Sequence, residues 1–79
     1  MAHYDSSETL ISVGRKIRIL RERAGITQAE LAKKLRTKKE VVSRIEKGRY
    51  NLLLSTLIEI AHIFGRQLQI RFIKRKGGA

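Results

Sequence analysis

The chain contains no cysteine, which removes disulfides and thiolate metal sites and fits a reducing compartment. Its two histidines, His3 and His62, lie too far apart and in too bland a context to suggest zinc, so no metal and no cofactor is expected. Without Cys, and with no nucleophile–base pair among the remaining groups, an enzyme is not expected either. Aromatic residues are scarce at 5% of the chain. Tyr4, Tyr50, Phe64 and Phe72 cannot build the stacking platform that single-stranded RNA binders use. Long apolar runs are also missing. Asn51 to Ile58 is the longest uncharged apolar stretch, far too short to span a bilayer, and helices interrupted by Gly25, Gly48 and Gly65 offer no long amphipathic face to a membrane surface. The N-terminal Met-Ala-His-Tyr-Asp-Ser-Ser lacks the basic and apolar blocks of a signal peptide, so a cytoplasmic protein is expected.

Negative charge is the other shortage. Seven Asp and Glu stand against 18 Lys and Arg, a net charge of +11, and that balance favours a nucleic acid or an anionic membrane as partner. Seventy-nine residues make one small domain near the lower limit for a self-sufficient core. With disulfides and metals set aside, oligomerisation is the remaining source of extra stability.

What the chain does have is helical periodicity. Leu10, Val13, Ile17, Leu20 and Ala24 recur at steps of three or four and predict a first helix over 7–24. Asp5, Ser6 and Ser7 are its candidate caps, Glu8 suits its first turn, and Gly25 ends it. Thr27-Gln-Ala-Glu30 is a capping-box pattern that starts a second helix, with Leu31, Ala32 and Leu35 inward. A third helix is expected over 38–47, with Val42 and Ile45 inward and Gly48 at its end. A fourth is expected over 56–64, capped by Ser55 and closed by Gly65, with Leu57, Ile60, Ala61 and Phe64 as its stripe. The period then changes: Leu68, Ile70 and Phe72 alternate with Gln67, Gln69 and Arg71, which predicts a strand. A lone strand leaves its backbone groups unpaired, and pairing with the same strand of a second copy is the economical remedy. The fold class expected is therefore all-α, a small bundle of about four helices with a helix-turn-helix, plus one C-terminal β-strand that pairs across a homodimer. The expected division is a helix-turn-helix domain over 7–65, a dimerisation strand over 66–74 and flexible ends at 1–6 and 75–79.

Residues 15–65 resemble the Cro/repressor-type helix-turn-helix domain, the XRE family. The resemblance rests on Thr27-Gln-Ala-Glu-Leu-Ala32, Val42-Ser-Arg-Ile-Glu-Lys-Gly48 and the Arg-x-x-Ala-Gly25 that precedes them. It implies that the exposed face of the third helix reads bases in the major groove of double-stranded DNA, and on this chain Lys39, Glu40, Val41, Ser43 and Arg44 are the readers. Lys39 and Arg44 can donate to guanine, Glu40 can accept from cytosine N4, and Val41 can touch a thymine methyl. Gln28 resembles the family's phosphate-anchoring glutamine, and Lys38, Lys47, Arg49 and Asn51 are the other phosphate-binding candidates. Glu46 resembles a buried carboxylate that pairs with an Arg of the first helix, here Arg21. A basic helix can be a merely solvated surface. Here eight of the basic residues fall between Lys33 and Arg49, around one turn and one helix, and together with the motif this favours DNA.

The chain departs from the family pattern in three places. Arg36 stands where Gly is usual in the turn, Lys38 where a Ser or Thr cap is common, and Leu52 where Pro is common. The first two changes add positive charge near the expected groove at some cost in local stability. The module followed by one short strand is most similar to antitoxins of the HigA and HipB type. That resemblance implies a dimer on a palindromic operator, repressing its own promoter in the nucleoid, with Leu68, Ile70 and Phe72 in the dimer strand and a protein toxin as a possible partner. A phage-type or controller-type regulator without a toxin is the alternative.

Overall fold

The computed structural model describes residues 6–75, which form α1 (Ser7–Arg23), α2 (Gln28–Lys34), α3 (Lys39–Glu46) and α4 (Leu54–Ile63). Ile17 of α1, Leu31 and Ala32 of α2, Val42 and Ile45 of α3 and Ile60 of α4 meet in one buried cluster. Val13, Ile26, Leu35, Tyr50, Leu52, Leu57, Ile63 and Phe64 pack around it. Full burial of a Leu or Val contributes about 1.5–3 kcal/mol, so a core this small leaves a modest margin.

The stripe on α1 delivers Val13 and Ile17 to the core, Leu20 is half-buried, and Ala24 is exposed at the C-cap, one residue past the last helical turn. Ser6 occupies the N-cap position without a side-chain cap bond, and Asp5, another candidate cap, lies outside the described residues. The helix also contains a residue whose importance periodicity does not announce. Gly14 is buried, and a Cβ there would stand 2.2 Å from the carbonyl oxygen of Ile45 and 2.8 Å from that of Glu46. The backbone of α1 therefore lies directly on the C-terminal turn of α3, an approach only glycine permits.

All four helices end in the same way. At α1, the N–H of Gly25 reaches Glu22 O at 3.0 Å and that of Ile26 reaches Arg21 O at 3.3 Å, the paired bonds of a Schellman ending. Equivalent pairs close α2 at Arg36 and Thr37, α3 at Gly48 and Arg49, and α4 at Gly65 and Arg66. Three of these left-handed positions are glycine; the fourth is Arg36, at φ +56°.

One expectation changes in the C-terminal third. α4 starts at Leu54 with Leu53 as its N-cap, so Ser55 sits inside the first turn and does not cap. Loop residue Leu52, packed on the core, fixes where the chain turns into the helix. The strand expected over 67–73 is one that pairs with a second copy; among the described residues it has no partner, and residues 66–75 carry neither helix nor ladder. Among the described residues no helix is long and apolar enough to cross a membrane.

Candidate nucleic-acid interface

The helix-turn-helix is α2, the turn at 35–38 and α3. Thr27 is extended at φ −83° and ψ 166°, which aims its hydroxyl into the first turn of α2. Its Oγ1 accepts the Glu30 N–H at 3.0 Å, and Glu30 Oε1 accepts the Thr27 N–H at 2.8 Å. Two otherwise unpaired backbone N–H groups at the helix start are thereby satisfied, each by the other residue's side chain. The Thr27 backbone donor, and after it the Thr27 side chain, hold the Glu30 carboxyl below its usual range. α3 has no such device, because Lys38 is its N-cap and forms no side-chain cap bond.

α3 is short and strongly two-faced. Val42, Ile45 and Glu46 are buried, while Lys39, Glu40, Arg44 and Lys47 are exposed and Ser43 is half-buried. Lys39, Glu40, Ser43 and Arg44 line one shallow concave patch together with Gln28 from the start of α2. The patch carries an ammonium, a guanidinium, a carboxylate, a hydroxyl and an amide, a donor and acceptor set matched to base edges in a major groove. Lys38, Arg49 and Asn51 are exposed as well.

Val41 does not belong to this patch. Its side chain is half-buried against the core and lines a different hollow, with Leu35, Thr37, Ile45 and Tyr50. The reason is helical geometry: Val41 lies one turn before Ile45, on the same inward side. Tyr50 likewise packs against the core. Arg36 is also turned away from the patch, its Nη2 3.7 Å from Glu59 of α4 with the side chain largely exposed. Such a loose, solvated pair contributes little.

Arg21 and Glu46 form the most buried polar contact among the described residues, with side chains only 12% and 3% exposed. Arg21 Nε donates to Glu46 Oε2 at 2.6 Å and Nη2 donates to Oε1 at 3.1 Å, while Nη1 donates to the Ile26 carbonyl at 2.9 Å. The hydrogen bond to Glu46 raises the pKa of the guanidinium further, against the opposing effect of burial. Removing one partner of such a pair costs about 3–5 kcal/mol. Gln28 is tied into the same group, its Nε2 donating to Glu46 Oε1 at 3.0 Å. An amide expected only at a phosphate is thus already engaged on its inner side.

Sequence reasoning missed an apolar surface beside the C-terminal segment. Leu53, Leu54 and Ile58 are more than half exposed on the outer side of α4, and Ile70 and Ile73 are exposed downstream. Leu68 is half-buried and lines a groove with Leu54, Ile58 and His62, whereas Phe72 is 99% exposed. The inner stripe of the helix does not report on this surface; the outward leucines at its start are the signal that does.

A helix-turn-helix family model, HTH_3, matches residues 17–70. An uncharacterised HTH-type transcriptional regulator of Archaeoglobus fulgidus is 40% identical over 58 residues, covering 73% of this chain and 83% of that protein. Among solved structures, the restriction-modification controller protein C.AhdI of Aeromonas hydrophila superposes with a TM-score of 0.74 at 25% identity, over 81% of this chain and 93% of that one. The HipB(S29A)–O2 20mer complex gives a TM-score of 0.65 at 26% identity, over 94% of this chain and 97% of HipB. With the family match spanning most of the chain and the patch lying on the outer face of the second helix of the motif, the protein belongs to the HTH_3 helix-turn-helix family.

Proposed function

We propose that this chain is a sequence-specific DNA-binding repressor that acts as a homodimer. The observation that carries this reading is the patch of Gln28, Lys39, Glu40, Ser43 and Arg44, flanked by the exposed Lys38, Lys47, Arg49 and Asn51. Lys39, Glu40, Ser43 and Arg44 read bases, and Gln28 with the flanking residues holds phosphates. One patch covers a single half-site, so specificity needs two copies. Leu68, Ile70 and Phe72 pair with the same segment of the partner as an antiparallel ribbon, next to Leu54 and Ile58. The near-complete exposure of Phe72 in a single chain supports a surface that a second copy covers. Likeness to HipB over 94% of the chain supports an antitoxin that also neutralises a protein toxin. Likeness to a restriction-modification controller supports the second reading, a regulator without a toxin.

The test is enrichment of bound duplexes from a randomised pool. A palindrome with half-site centres about 34–36 Å apart is expected, bound with a steep salt dependence. Lys39→Ala shifts the preference at one position per half-site by about 1–3 kcal/mol. Equal affinity for every sequence overturns the repressor reading. Ending the chain after Gly65 yields monomers in analytical ultracentrifugation, and a persisting dimer overturns strand pairing. Growth arrest by an adjacent gene product, relieved by this chain, separates antitoxin from stand-alone regulator.

A further inference from the structure

Glu46 makes one hydrogen bond more than fastening two helices requires. Two Arg21 bonds, at 2.6 Å to Oε2 and 3.1 Å to Oε1, already join α1 to α3. The third, from Gln28 Nε2 to Oε1 at 3.0 Å, reaches the first residue of α2, which borders the patch with Lys39 and Arg44. A carboxylate only accepts, so it can hold the Gln28 amide one way round, with the NH2 end inward. One N–H is taken by Glu46, and the second remains for a ligand. Arg21 in turn holds Glu46 and the Ile26 carbonyl, so the whole chain of hydrogen bonds starts from α1.

We propose that Glu46 is a positioning residue for the DNA backbone: it fixes the Gln28 amide before DNA arrives, so that the phosphate contact and the buried ion pair work as one unit. The proposal rests on the DNA-binding function above and adds to it a residue that touches no DNA. A free Gln side chain loses rotamer freedom when it binds, and a side chain already held loses little.

A double-mutant cycle on affinity for a mixed-sequence duplex tests this. In the unaltered chain Gln28→Ala weakens binding about tenfold, as expected for one hydrogen bond to a charged group. Glu46→Gln keeps the volume but replaces two acceptor oxygens with one; with that oxygen at the shortest contact, 2.6 Å from Arg21 Nε, its NH2 faces the NH2 of Gln28, which must turn round or leave. In that background Gln28→Ala changes affinity by no more than about twofold. Equal losses in both backgrounds overturn the positioning role and leave DNA binding intact, whereas absence of salt-dependent binding by the unaltered chain overturns both. A second measurement does not depend on how Glu46→Gln folds. In NMR of the unaltered chain without DNA, the side-chain amide of Gln28 is rigid and exchanges slowly relative to those of the exposed Gln67 and Gln69. A Gln28 amide as mobile as those two overturns the proposal.

Discussion

At 24–27 and again at 35–38 a helix ends, the chain passes through one left-handed residue, and the next helix begins. The first junction uses residues that favour each step locally: Gly25 at φ +72° and Thr27 in a capping box. The second makes the same turn with Arg36 at φ +56° and Lys38 as an N-cap with no side-chain bond. A non-glycine residue in the left-handed region costs about 1–2 kcal/mol, and a missing cap about 1 kcal/mol. The turn holds because Leu31 and Val42, the core residues on either side of it, are fully buried. Burial of two such side chains outweighs both local costs. The first junction is thus built by its own residues and the second is imposed by the core.

Exchanging the left-handed residues probes this difference most strongly. Gly25→Arg destabilises by about 1–2 kcal/mol through the backbone alone, since nothing lies within 4 Å of the added Cβ. Arg36→Gly stabilises by about 1 kcal/mol. Urea midpoints moving in the same direction for both would break the equivalence of the two turns. The caps come next. Thr27→Ala costs about 1 kcal/mol and Lys38→Ser gains about 0.5–1 kcal/mol in thermal unfolding. Lys38→Ser also lowers the slope of log affinity against log salt by about 0.9, the amount expected when one phosphate is no longer neutralised. Arg36→Gly leaves that slope unchanged, because Arg36 faces Glu59.

The smallest effect is a pH dependence confined to the first junction. The Glu30 carboxyl lies below its ordinary range in the folded chain, so the folded state favours its ionised form. Its contribution to stability is present above the carboxylate range of the unfolded chain and is lost as pH falls through the lower folded value. Acid titration of Thr27→Ala, which removes the reciprocal hydroxyl, shows a weaker low-pH loss than the unaltered chain. An identical acid profile would place the stabilisation elsewhere.

What the sequence reveals follows the same division. The capping box, the Gly25 ending and the inner stripes are local patterns, legible because neighbours within four residues decide them. Arg21 and Glu46 are recognisable as a pair only through the motif that they resemble, being 25 residues apart. Features set by tertiary contact are harder to read. Val41 sits on a helix of eight residues, too short for periodicity to separate the core face from its border. Ser55 has the chemistry of a cap but not the position, which Leu52 packing fixes instead. The inner bond of Gln28 depends on a carboxylate 18 residues away. Gly14 by its propensity alone weakens α1, and the reason for it lies on another helix.

That last residue bears on how this protein can be retargeted. Positions 39, 40 and 44 are exposed on α3 and can be randomised in a library with little penalty to folding, so under the proposed base-reading role a new operator preference is reachable by rewriting a few codons. Codon 14 offers no such freedom. Even alanine would drive a methyl group into the carbonyl oxygen of Ile45, lifting α3 off its support and displacing every randomised position at once.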